Sequence, residues 1–258
     1  MTRLIHLSDL HFGATTPDLL EPLCAKLSEL APDLVVISGD LTQRARAAQF
    51  AEARAFIARL GAPVLCVPGN HDIPLYNIWL RFLHPWRQWT NHFSNILEPD
   101  WRCDRLVVVG LNTADPQAWK RGRITPAQLD RVARCFADAG PRARIVVMHH
   151  PLEHLPEETQ WLMAGATEAL QRLPEAGAQI VLSGHIHVSF AGPFTAAPGL
   201  IFVQAGTGLS HRTRAEANAF NLLDFGPDGV EIRTILADET GQFTRADLRH
   251  SHRFTATL

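Results

Sequence analysis

The chain has 258 residues, 46% of them hydrophobic and 19% charged, with a formal net charge of -2; it can bury a sizeable core and is too apolar for a disordered chain. So even a balance supplies no long-range field to gather a nucleic acid polymer or an acidic membrane surface, and neither is expected as a partner. Cys24, Cys66, Cys103 and Cys135 lie far apart with no C-x-x-C pair, and the N-terminus meets His6 and Asp9 too early for a signal peptide. No run approaches the roughly 18 apolar residues of a spanning helix, so a soluble cytoplasmic protein with free thiols and no transmembrane segment is expected.

In chain order, the short apolar run Leu4–Leu7 predicts a buried strand, Asp18–Leu30 an amphipathic helix and Leu34–Ser38 a second strand. Arg46–Leu60 and Val64–Val67 repeat the pair. The alternation breaks from Ile73 to Arg105, which holds Trp79, Trp86, Trp89, Trp101, Phe82, Phe93 and the single tyrosine, Tyr76. Such a segment is either a helical insert packed on the core or a lid with an aromatic face. Alternation resumes with Leu106–Leu111, Pro126–Ala139, Ile145–Met148, Glu168–Leu173 and Ile180–Ser183. From about 200 to 236, three strand-like runs with Gly226-Pro227-Asp228-Gly229 as a hairpin turn predict a C-terminal meander in a second sheet. No repeat or Gly/Ser linker divides the chain, so residues 1–258 read as one α/β domain.

The chemistry follows the strands. Leu4–Leu7 leads into Ser8-Asp9-Leu10-His11, Leu34–Ser38 into Gly39-Asp40, and Val64–Val67 into Pro68-Gly69-Asn70-His71-Asp72. Ile145–Met148 leads into His149-His150-Pro151, and Ile180–Ser183 into Gly184-His185-Ile186-His187. Five strands thus deliver Asp, Asn or His at their carboxyl-terminal ends, the edge where α/β sheets bind ligands. Hard carboxylate oxygen with borderline imidazole nitrogen, and no Cys among them, suits ions of the manganese, iron, cobalt or zinc type at a catalytic site.

These motifs, Asp-x-His, Gly-Asp, Gly-Asn-His-Asp, His-His-Pro and Gly-His-x-His in this order, resemble the calcineurin-like metallophosphoesterase superfamily. The resemblance runs from Leu4 to His187 and onward to about Leu236. It implies a four-layer α/β sandwich of two mixed sheets flanked by helices, with the site at the carboxyl ends of the strands. It also implies that Asp9, His11 and His187 hold one metal ion, that Asn70, His149 and His185 hold another, and that Asp40 bridges them. His149 rather than His150 is taken as the ligand because the family's ligand usually stands two residues before the proline. His71 matches the histidine beside the scissile phosphate, and Asp72 is grouped with it among the catalytic residues, to orient it or close its turn. Two divalent ions about 3.5–4 Å apart, manganese or iron favoured, then imply attack on phosphorus by a metal-bridging hydroxide.

Within the superfamily, Leu111-Asn112-Thr113, Gly122-Arg123-Ile124 and the stretch Gly206 to Asn221 resemble bacterial cyclic-nucleotide and glycerophosphodiester phosphodiesterases, although these often carry Asp-Ser where Asn112-Thr113 stands. A phosphodiesterase acting on a small phosphoester is therefore expected. A phosphomonoesterase, or a phospholipase C-like hydrolase with a phospholipid substrate, is the alternative on the same site, and a metal-binding interaction scaffold the non-enzymatic one. A homo-oligomer is compatible with all of these. Arg212 and Arg214 are candidates for phosphate contact, against the commoner reading as solvated loop arginines. His6 reads as a buried core histidine or a donor supporting the site's ligands, His154 as a solvated loop residue, His84 and His92 as insert residues that pack or face the site, and Arg249 to Arg253 as a solvated terminus.

Overall fold

In this computed structural model, residues 1–154, 162–213 and 216–254 are described. The strands are β1 (Thr2–Leu7), β2 (Leu34–Ile37), β3 (Val64–Cys66), β4 (Asp100–Arg102), β5 (Leu106–Gly110), β6 (Ala143–Val147), β7 (Ile180–Ser183), β8 (Phe190–Pro193), β9 (Ile201–Gln204), β10 (Ala219–Phe225), β11 (Gly229–Ala237) and β12 (Phe243–Arg253). The helices are α1 (Leu20–Leu30), α2 (Ala47–Ala58), α3 (Ile78–Leu83), α4 (Arg87–His92), α5 (Pro126–Phe136) and α6 (Ala166–Glu175). One six-stranded sheet runs β12-β11-β10-β1-β2-β3 and the other β4-β5-β6-β7-β9-β8. β1, β2 and β3 are parallel, as are β5, β6, β7 and β9, while β10, β11 and β12 in the first sheet and β4 and β8 in the second pair antiparallel.

Alternate residues of each central strand enter different cores. Leu4, Leu34, Val36, Val108, Ile145, Val147 and Leu182 fill the space between the sheets. Ile5, Leu7, Val35 and Ile37 instead face α1 and α2 through Leu23, Leu27, Phe50 and Phe56. On the opposite side, Val107, Val109, Val146 and Val181 meet Leu129, Val132, Ala169 and Leu173 of α5 and α6. Because both faces of each strand are covered, the runs show no polar alternation. The result is the helix–sheet–sheet–helix sandwich. Its two sheets are also tied by Asn221, whose side-chain amide donates to the Gln204 carbonyl at 2.9 Å.

The segment expected as one meander divides between the sheets. β9 joins the second sheet beside β7, and only β10 and β11 form the hairpin, extended by β12. Leu200 and all of β9 are buried, as befits a parallel interior strand rather than a half-solvated meander. Arg249 to Arg253 is part of β12, its backbone paired with β11 while Arg249, Ser251 and Arg253 keep exposed side chains.

The aromatic segment also divides. Trp101 lies on β4, hydrogen-bonded to β5, so the insert ends before residue 100. Trp89 of α4 is buried against Phe50 of α2, and His92 stacks on the same ring with centroids 5.9 Å apart. α3 behaves differently, exposing its aromatic and aliphatic side chains. Phe50 is therefore the anchor that holds the insert on the first sheet's helical layer. Phe50→Ala should cost about 3–5 kcal/mol in urea unfolding and raise amide exchange across α4; a loss below 1 kcal/mol would mean that α4 holds itself in place.

Candidate metal centre

The two sheets meet with their parallel strands ending at one seam. Asp9 and His11 follow β1, Asp40 follows β2, Asn70 and His71 follow β3, His149 follows β6, and His185 and His187 follow β7. Hydrogen bonds cross the seam: the His149 Nδ1–H donates to the Ser38 carbonyl at 2.8 Å, and the His185 backbone N–H to Asp9 Oδ2 at 2.9 Å. Approach this close needs glycine. A Cβ on Gly184 would lie 1.8 Å from Ser8 Oγ, and Gly39, with φ +98°, would place one 2.5 Å from the His149 ring.

Asp9, His11, Asp40, His185 and His187 all have positive φ, between 50° and 76°. Among the described residues only three other non-glycine positions share that conformation, Ala31, Ala45 and Trp119. Left-handed backbone costs on the order of 1 kcal/mol or more per residue. Its concentration in these loops turns the side chains back over the strand ends into one pocket.

All seven proposed ligands are brought together. Asp9, His11 and His187 form one group: His187 Nε2 lies 3.1 Å and His11 Nε2 3.6 Å from Asp9 Oδ1, with the two imidazole nitrogens 3.3 Å apart. In a second group, His149 Nε2 lies 3.2 Å from Asn70 Oδ1, 3.2 Å from His185 Nδ1 and 3.4 Å from Asp40 Oδ2. Asp40 Oδ2 also lies 3.7 Å from His11 Nε2, so this carboxylate stands between the groups.

Asp9 and Asp40 are essentially unexposed, and no lysine or arginine ion pair reaches either among the described residues. The Nδ1–H of His149 is committed to the Ser38 carbonyl and that of His187 to the Arg212 carbonyl at 2.6 Å. Both rings therefore aim Nε2 at carboxylate oxygens, and among the described residues Asp9 Oδ1 accepts no hydrogen bond despite its burial. Facing acceptors need a proton or a metal cation between them. In the protein alone, burial opposes charge on His149, but Asp40 overrides it and raises its pKa to about 9. Burial likewise opposes ionisation of Asp9 and Asp40, yet the surrounding histidines hold both well below the usual carboxylate range. Oxygen and nitrogen donors with outer nitrogens fixed by backbone carbonyls fit divalent ions.

His150 is near the same nitrogens but engaged elsewhere: Nδ1 meets Thr113 Oγ1 at 2.9 Å and Nε2 donates to the Lys120 carbonyl at 3.1 Å. His71 is half-buried, its Nδ1–H donating to the Gln43 carbonyl at 2.9 Å and its Nε2 facing Arg212 Nη1 at 3.2 Å. Burial lowers its pKa, with Asp40 opposing. The Asp72 carboxylate serves the turn rather than the imidazole, accepting from the backbone N–H groups of Leu41, Thr42 and Gly69. Burial and the nearby Asp40 raise it to about 7.

A cavity of about 360 Å³ opens between Asp40, Asn70, His71, His185, His187 and Arg212, with Lys120 and Thr213 at its rim. A more apolar one of about 230 Å³ adjoins it through Lys120 and His185, walled by His150, Leu162, Met163 and Ile186. Arg212 thus lines the cavity as its reading as a phosphate contact expects, while staying solvent-exposed; the sequence signal for it was its place in the Gly206–Asn221 stretch. Arg214 lies outside the described residues. His154, set aside as a solvated loop residue, is half-buried in the wall of the second cavity. His6 is fully buried beneath the seam against Ser38 Oγ at 2.8 Å, and burial lowers its pKa to about 3. His84 is exposed and His92 packs on Phe50, so neither lines the cavities.

The pattern of the calcineurin-like phosphoesterases matches residues 2–189. A cAMP/cGMP dual specificity phosphodiesterase of Mycobacterium tuberculosis (strain CDC 1551 / Oshkosh) is 30% identical over 88% of this chain and 77% of its own. A 3',5'-cyclic adenosine monophosphate phosphodiesterase of Pseudomonas aeruginosa is 28% identical over 72% of this chain and 70% of its own. A solved dimetal phosphatase from Danio rerio shares the fold, with a TM-score of 0.67 and 13% identity over 90% of this chain and 95% of its own. The pattern match covers most of the sequence and the mycobacterial relative aligns along nearly all of it, so the chain belongs to the calcineurin-like phosphoesterase family and is a metal-dependent phosphoester hydrolase.

Proposed function

We propose that the chain is a dinuclear-metal phosphodiesterase that cleaves a small diester of the cyclic-nucleotide or glycerophosphodiester type. The observation that carries the proposal is the pair of histidine-rich groups sharing the Asp40 carboxylate. Asp9, His11, Asp40 and His187 would hold one ion, and Asp40, Asn70, His149 and His185 the other. Bound divalent ions there supply Lewis acidity, neutralising phosphate oxygens and acidifying water. The diester reading is supported by the relatives named as cyclic-nucleotide phosphodiesterases and by the apolar cavity beside the polar one, which offers room for an ester arm.

The chain's own residues define the substrate's position. Arg212 Nη1 and His71 Nε2 point into the polar cavity from one wall, and Lys120 reaches its rim. A phosphate anion seated there would meet a guanidinium and an imidazole together, and its charge favours protonation of His71 Nε2. So protonated, His71 is placed to donate to the leaving ester oxygen, a general-acid role. The Gln43 carbonyl holds the opposite nitrogen and fixes the ring. Asp72 acts indirectly, keeping the loops that carry Asp40 and His71 together through its bonds to Leu41, Thr42 and Gly69.

Manganese-reloaded protein assayed on bis-p-nitrophenyl phosphate, p-nitrophenyl phosphate, cyclic AMP and glycerophosphocholine should hydrolyse the diesters in preference; faster turnover of the monoester makes the protein a phosphomonoesterase instead. Asp40→Ala should abolish metal-dependent turnover and lower bound metal by elemental analysis, and wild-type activity in that variant would sink the shared-carboxylate arrangement. His71→Ala should reduce kcat by roughly 10²–10⁴-fold with metal content near normal. Loss of metal instead would make His71 a ligand.

A further inference from the structure

Helix α3 is built inside out. Its one charged side chain, Arg81, is fully buried, whereas Ile78, Trp79, Phe82 and Leu83 are 58, 79, 50 and 62% exposed. Arg81 donates to the carbonyls of Pro116 and Pro74, and its guanidinium lies 4.4 Å from the centre of the Trp119 ring. Exposed Tyr76 and Trp119 flank the same helix. A helix of a soluble protein turns its apolar stripe to the core, and apolar surface gathered in one place marks an interaction site.

The charge around this face has one sign. From Ile73 to Leu97 the sequence contains no Asp or Glu but carries Arg81 and Arg87, and Pro116 to Pro126 contains Lys120, Arg121 and Arg123 with no carboxylate. Arg44 lies over the Tyr76 ring at 5.8 Å. The acids that bound these stretches are engaged elsewhere: Asp72 is buried in its turn, Glu98 accepts from the Asn112 N–H and the Gln128 side chain, and Asp115 is paired with Arg123. The near-zero net charge of the whole chain therefore conceals a locally cationic, apolar face.

We propose that this face docks on an anionic phospholipid bilayer surface. Ile78, Phe82 and Leu83 supply apolar anchors, Trp79 and Tyr76 the amphipathic rings that favour the head-group level, and Arg87, Lys120 and Arg121 the cations that meet acidic head groups. A second copy fits less well, because self-association would set two cationic rims against each other. The face also adjoins the polar cavity: Arg44 lies 3.3 Å from His71 Nδ1, and Trp119 precedes Lys120 at the cavity rim. Docking is read without turnover and stands apart from the hydrolase reading.

The test is co-sedimentation of the full chain with vesicles of phosphatidylcholine alone or mixed with phosphatidylglycerol, alongside sedimentation equilibrium without lipid. Wild-type protein should partition at least tenfold more strongly onto the mixed vesicles, and less so as salt is raised. The W79S/F82S double variant should lose that partition tenfold or more. I78D should do the same, while L248S, at an exposed leucine on β12, should leave it unchanged; thermal unfolding checks that each variant is folded. Absence of wild-type partition, or equal partition by W79S/F82S, overturns the proposal. So does a wild-type dimer that W79S/F82S converts to monomer, which assigns the face to a second copy.

Discussion

Two carboxylates, Asp9 and Asp40, with no lysine or arginine paired to them among the described residues, are buried where the sheets meet, and the rest of the structure is arranged around that electrostatic problem. Leaving a buried charge without compensation costs several kcal/mol. Here compensation comes from imidazoles delivered by both sheets, with His11 from β1, His149 from β6 and His187 from β7. In the protein alone His149 and His187 answer the demand, since burial opposes their charge but the carboxylates raise both pKa values; divalent ions would meet it more completely, because they face several donors at once. Removal of either sheet's contribution leaves the other's charges exposed to one another. The seam is thus both the candidate metal centre and a constraint on how the sandwich closes.

The same constraint explains where the backbone is strained. Five of the proposed ligands hold left-handed φ values in loops clamped to each other by backbone bonds, such as His11 N–H to the Asp40 carbonyl at 2.9 Å and Asp9 N–H to the Gly39 carbonyl at 3.1 Å. Beneath them, fully buried parallel strands form a platform that shifts little. Strain of this kind persists only when neighbouring structure over-determines it. Here the strand ladders, the glycines at 39 and 184 and the Asp72 clasp do so together.

Legibility in the sequence follows the same division. β1, β2, β3, β5, β6 and β7 were readable because burial on both faces writes them as unbroken apolar runs, and the ligands were readable because each immediately follows such a run. β4, β8 and β12 were not. Asp100–Arg102 and Phe190–Pro193 are short edge strands, and β12, Phe243–Arg253, is polar along most of its length, so none carries a hydrophobic period. β9 was seen as a strand but given to the wrong sheet, since a buried run does not say which neighbour it pairs with. Arg212 was legible only as one of two readings, because it reaches the cavity from a loop distant in sequence, and Arg81 was hidden because it inverts the usual placing of a charge on a helix.

A further set of contacts connects the seam to the outer face. His150 directly follows the proposed ligand His149, and its ring joins Thr113 Oγ1 to the Lys120 carbonyl, pinning both ends of the 113–120 loop to the strand that supplies the site. Gly122 permits this, since a Cβ there would lie 2.3 Å from His150 Nδ1. The pinned loop carries Trp119, whose ring receives the buried Arg81 guanidinium, and Arg81 in turn fixes α3 through the Pro74 and Pro116 carbonyls. A neutral imidazole with Nε2–H suits both of its partners, and for His150 burial and the charges of His185 and His149 keep the pKa well below the usual histidine value. His150 therefore does structural work that its neighbour cannot. One histidine of the pair faces the carboxylates, and the other sets the distance between the cavity rim and the exposed aromatic helix.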